Sequence, residues 1–221
     1  AKLAELARQA EFPAELRLSV FYALHSRGGR NDQWAEVLAS LLADPSAKET
    51  RAQAFSALYA LANYGYYGLA SKHLEAFLKL DDLTDNERYQ LVSARWQVEW
   101  NRGNHKEALE HLEAAFGATS VAAHAYNYAS MMIHPLVQRA EYERATNVVA
   151  DMLRRFPDHG DNPRLVRYLV QYLYQAGQRE LITQTLETLW KQAAAAALKQ
   201  EQERSAEILK VIEQKDYSAA D

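Results

Sequence analysis

The chain has 221 residues, enough for one domain or at most two. It carries 25 Lys and Arg against 29 Asp and Glu, a net charge of −4 that is too evenly mixed for a nucleic-acid module, and its 48% hydrophobic content excludes a disordered chain. Without cysteine there are no disulfides, thiolate metal sites or cysteine nucleophiles, and no apolar stretch approaches the roughly 18 residues that a membrane-spanning helix needs.

Alanine and leucine, strong helix formers, number 38 and 28, whereas Val, Ile and Thr together number only 22. The composition therefore predicts an all-α protein without sheet, helical over more than about three quarters of its length. First helices are expected near 14–27, 48–64, 85–102, 121–139 and 162–176, each followed by a second helix near 31–43, 67–80, 105–116, 142–155 and 179–193. Two Ser/Thr-x-x-Glu capping boxes, Ser46 to Glu49 and Thr84 to Glu87, open first helices. Pro135 falls inside the fourth first helix, where its missing N–H predicts a kink.

The breakers fall at intervals. Gly28, Gly65, Gly103 and Gly177 form one series; Pro13, Pro45, Pro157 and the Gly160–Pro163 stretch form another. The clearest unit runs from Arg102-Gly103-Asn104-His105 to Ala108-Leu109: a turn glycine, a planar ring two residues on, then a small residue opening an apolar face. It returns as Gly65-Tyr66-Tyr67 to Ala70 and as Ala140-Glu141-Tyr142 to Ala145, more weakly at Gly28 and Gly177, and again at Lys215-Asp216-Tyr217. The fifth residues after the turn, Gln33, Ala70, Ala108, Ala145 and Ile182, are spaced 37, 38, 37 and 37 apart. A fixed period of this size marks a repeat architecture in which each helix pair covers its neighbour's apolar face.

This pattern resembles the tetratricopeptide repeat family, most closely over 88–117 and 126–157, although its period exceeds the family's usual value of about 34 and the family's Trp is missing from the first helices. The resemblance implies a right-handed α-solenoid of antiparallel helix pairs in a single domain, 1–221. Its repeats would be 14–47, 48–84, 85–120, 121–160 and 161–197, with partial repeats 1–13 and 198–221. The expectation is of a fragment of a longer array, whose uncovered ends, with Leu3, Leu6 and Ala7 at one and Ile208, Leu209, Val211 and Ile212 at the other, would self-associate.

Catalytic, cofactor and metal sites are not expected. His105 and His111 are six apart rather than four, no phosphate loop or nucleophile elbow occurs, and Asp81, Asp82, Asp85 and Glu87 read as an acidic helix start. In a hairpin array the first helices line the concave face, which assigns partner binding to Tyr22, His25, Tyr59, Asn63, Gln97, Trp100, Asn101, Asn127, His134, Arg164, Arg167, Gln171 and Tyr174. Glu15, Leu18, Phe55, Ser130 and Gln138 fall on the same stripe. The set is rich in Tyr, Asn and Gln, and no Lys falls on it, which disfavours gripping a chain-terminal carboxylate. The expected role is a scaffold for a partner protein or peptide, with no nucleic acid. The alternative is a glycan-contacting or enzyme-docking segment of a bacterial exopolysaccharide synthesis or export protein, which leans the expected compartment, otherwise open between cytoplasm and periplasm, to the periplasm.

Overall fold

The structure, a computed structural model, describes residues 2–9, 12–28, 32–44 and 47–218. Every regular element among them is helical: α1 (Lys2–Ala7), α2 (Ala14–Gly28), α3 (Asp32–Ala39), α4 (Arg51–Asn63), α5 (Tyr67–Leu78), α6 (Asp85–Asn101), α7 (His105–Ala118), α8 (Ala122–Gln138), α9 (Tyr142–Arg155), α10 (Asn162–Gln175) and α11 (Arg179–Ser218). Short 3-10 turns at Ser40–Leu42 and Lys48–Thr50 extend α3 and open α4. The all-α expectation therefore agrees with the structure, as do the helix spans read from the breakers except the last, expected over 179–193, which runs on to Ser218. Ala1, Gly29 to Asn31, Pro45, Ser46 and Ala220-Asp221 lie outside the described residues. So do the side chains of Leu3, Gln33, Glu49, Ile208, Leu209, Val211 and Ile212.

Two compact units divide the chain, 1–115 and 116–221. In the first, α4 touches α2, α3, α5 and α6, and in the second α8 and α10 both touch α9, with α9 and α10 touching α11. A helix with neighbours on several sides must be apolar nearly all round. Accordingly α4 buries Ala54, Phe55, Ala57, Leu58, Ala60, Leu61 and Ala62, and α8 buries Ala125, Tyr128, Ala129, Met132, Ile133, Leu136 and Val137.

Four helix-to-helix connections share one geometry. Gly65, Gly103, Ala140 and Gly177 have φ of 82°, 87°, 59° and 74°. The following amide in each case donates to a carbonyl five residues back: Tyr66 to Leu61 at 2.8 Å, and Asn104 to Glu99, Glu141 to Leu136 and Gln178 to Leu173 at 2.9 Å. The left-handed residue's own N–H donates three residues back, to Ala62, Trp100, Val137 and Tyr174. This is the Schellman closure, which satisfies the last carbonyls of a helix and needs positive φ. Five residues beyond it the second helix presents Ala70, Ala108 and Ala145, each fully buried. Ile182, at the fourth such position, is half-buried.

Three arginines tie the elements together. Arg17, 8% exposed, donates to Ser40 Oγ and Gln9 O at 2.9 Å and to Phe12 O at 3.1 Å. Arg155 donates to the carbonyl of Phe116 at 2.6 Å and to that of Thr119, placing a cation on the last turn of α7. Arg51, 5% exposed, meets Asp82 at 3.2 Å and Glu87 at 3.7 Å, and Lys48 meets Asp82 at 2.7 Å. The Thr84 capping box is complete, with Thr84 N to Glu87 Oε2 at 2.8 Å and Glu87 N to Thr84 Oγ1 at 3.2 Å.

Helix α8 runs on through Pro135, which is buried. Some expectations change. The turn expected at Lys215 to Ser218 is helix, because α11 continues for 40 residues: the Ala193 to Ala197 run contains no breaker and every residue in it is the strongest helix former. Ala7 is not part of an exposed end but is buried against Val37, while Leu6 is 51% exposed.

Three outcomes follow from these contacts. Ala140 holds a conformation that costs an L-residue about 1–2 kcal/mol. Ala140→Gly should therefore raise unfolding stability by about 1 kcal/mol in urea titrations, and Gly103→Ala, which meets no atom within 4 Å, should lower it by a similar amount. Ala108→Leu should cost about 1–3 kcal/mol by overpacking the hairpin; a change within about 0.5 kcal/mol would place Ala108 outside the packed face. The hydrogen bond from Lys48, then the Arg51 cation, holds the Asp82 carboxyl below its ordinary range, and the Thr84 backbone N–H does the same for Glu87. A depressed carboxyl stabilises the fold above its unfolded pKa of about 4, and that stabilisation is lost as pH falls through the folded value. Urea midpoints should fall on acidification below about pH 4, and less steeply in Asp82→Asn.

Candidate partner-binding surface

In the first unit α4 contacts both α2 and α6. Tyr22 and Tyr59 are 44% and 50% exposed, and Tyr64, at the end of α4, is 37% exposed. The Tyr64 ring lies 4.2 Å from that of His25 and 5.9 Å from that of Tyr22, so α2 and α4 share one aromatic group. Partial burial, with Tyr64 beside it, raises the Tyr22 phenol pKa, and the hydroxyl stays a neutral donor. Between α4 and α6, Gln97 Nε2 donates to Asn63 Oδ1, and Asn101 Nδ2 donates to the Gln97 carbonyl at 2.8 Å. Trp100 is half-buried, 4.6 Å from Trp96 and 4.2 Å from His105, the ring that opens α7. Its faces are largely taken up by packing within the unit. Phe55 is 6% exposed and packs edge-on to Phe77.

In the second unit the His134 ring lies 4.7 Å from that of Tyr172, joining α8 to α10. Asn127 is half-buried, and its carbonyl accepts from Ser130 Oγ at 2.8 Å. Arg164 Nε donates to the Tyr168 hydroxyl at 2.7 Å and its guanidinium lies 5.3 Å from that ring. Arg167 and Gln171 are exposed on the same helix. Tyr174, 57% exposed, lies under the Arg179 guanidinium at 5.2 Å.

Counting back from the turn residues Gly28, Gly65, Gly103, Ala140 and Gly177 reveals a second pattern. Six residues earlier stand Tyr22, Tyr59, Gln97, His134 and Gln171; two residues earlier stand Ser26, Asn63, Asn101, Gln138 and Gln175. All ten are uncharged hydrogen-bonding side chains in a chain that is 24% charged, and all are exposed except the half-buried Gln97. Selecting inward positions helix by helix found the first set but not Ser26 or Gln175. The signal that finds Gln175 is the turn register, because positions fixed relative to a Schellman closure lie on equivalent faces of successive first helices; Gly28, the last residue of α2, has no positive φ, and Ser26 follows from the sequence period alone.

Among the described residues no group of three or more His, Asp or Glu is placed to hold a metal ion, and no helix is long and apolar enough to cross a membrane. No family model, curated protein or solved structure matches this chain.

Proposed function

We propose that the chain is a binding scaffold of tetratricopeptide-like helical hairpins, stacked within each unit as a right-handed α-solenoid, whose first helices hold an extended segment of a partner protein. The observation that carries this reading is the double row of uncharged hydrogen-bonding residues at fixed distances from the turns. A carboxamide both donates and accepts, as a peptide unit does, so Asn63, Gln97 and Asn101 can satisfy main-chain groups whatever the partner's sequence. Tyr22, Tyr59 and Tyr64 add exposed aromatic area that loses little conformational entropy on binding. The contact of each hairpin with the next, seen in α2–α4–α6 and α8–α10, supports the stacked arrangement.

Selection from a display library of random peptides, followed by calorimetry on the enriched sequences, tests the reading. Peptides of a common pattern should be enriched. Their affinity should fall at least about tenfold, about 1.4 kcal/mol, in Tyr59→Ala/Asn63→Ala, and should not change in Lys72→Ala on α5. Failure to enrich any pattern, or affinity indifferent to Tyr59 and Asn63, would contradict it.

A further inference from the structure

The second unit contains a cleft of about 380 Å³ lined by His134, Val137, Gln138, Tyr142, Tyr172, Gln175 and Ala176. Three helices meet there: the end of α8, the first residue of α9 and the last turn of α10. Five of the lining side chains carry hydrogen-bonding heads: one imidazole, two carboxamides and two phenol hydroxyls. None of these heads has a hydrogen-bond partner among the described residues. No lining residue is an acid, a lysine or an arginine. The His134 and Tyr172 rings, tilted by 32°, give the cleft an aromatic wall.

The occupant follows from what each ligand class would leave unpaired. An apolar side chain would strip water from five polar heads without replacing its hydrogen bonds. A charged group would enter a site with no counter-charge. A peptide strand presents its N–H and C=O groups along a line rather than around the edge of a ring. A pyranose ring has an apolar C–H face that can lie on an aromatic ring, and its hydroxyls both donate and accept around the edge, matching carboxamides and phenols that do the same.

We infer that this cleft binds one ring of a neutral saccharide, with the outer face of the packed His134–Tyr172 pair under the ring and Gln138, Gln175 and Tyr142 on its hydroxyls. His134, Gln138 and Gln175 also belong to the double row behind the peptide reading, but the residues that test that reading, Tyr59 and Asn63, lie in the first unit.

The test is a nuclear magnetic resonance titration of the ¹⁵N-labelled full chain with cello-, malto-, manno- and chito-oligosaccharides, and with oligogalacturonate as a charged control. At least one neutral oligosaccharide should shift the Gln138 and Gln175 side-chain amide signals saturably. Gln138→Ala/Gln175→Ala, at exposed positions that leave the thermal melt unchanged, should weaken that binding at least about tenfold, and Asn63→Ala should leave it intact. The inference is overturned if no neutral saccharide gives a saturable shift, if the double variant binds equally well, or if oligogalacturonate binds more tightly. It is also overturned if peptides selected on the whole chain shift these signals and saccharides do not, an outcome that leaves the peptide reading standing.

Discussion

Four times the chain has to pass from one helix to the next through three residues while satisfying the last carbonyls of the first. That requirement explains most of the fold. A right-handed helix ends with orphan C=O groups, and the shortest way to satisfy them is to flip one residue into the left-handed region so that the next amides point back. Gly65, Gly103, Ala140 and Gly177 do this, and in each case the next residue donates across five positions while its own carbonyl lies at the start of the following helix. The Ala70, Ala108 and Ala145 amides donate to the carbonyls of Tyr66, Asn104 and Glu141 at 3.0 Å.

Because both helices are rigid, this turn sets their rotational phase. Five residues after the left-handed residue the second helix faces its partner at close range, which is why the side chain there is reduced to a methyl group in three of the hairpins. Two and six residues before it, the first helix faces away from that contact, and the side chains there are free to serve solvent or a ligand. Burial inside and uncharged polarity outside thus come from one local device repeated every 37 or 38 residues. Larger residues, Leu58, Phe77, Leu136 and Leu169 among them, fill the space between hairpins within each unit.

Much of this was legible in the sequence because the punctuation is local. Glycine at 65, 103 and 177 marks a backbone conformation directly, and the Thr84-x-x-Glu87 box reports a helix start without reference to anything distant. Ala140 was found only because its neighbours repeat the pattern. What was illegible depends on contacts between segments far apart. Nothing in the local sequence marks Arg17, Arg51 or Arg155, and only the folded arrangement shows that each fastens two elements. The contacts of Trp100 are illegible for the same reason: its helix position places it on the inward stripe, and only the folded arrangement shows His105 and Trp96 against it. The second row of carboxamides needed the turn, not the helix, as its origin of counting.

Amide hydrogen exchange at the turns tests the account most directly. Tyr66, Asn104, Glu141 and Gln178 sit in three-residue connections where an amide without a partner would exchange at the rate of a free peptide. If the repeated Schellman closure organises the chain, all four should be protected to the same degree as the amides of the helices they join. Exchange of these four at free-peptide rates, with the helix interiors still protected, would contradict it.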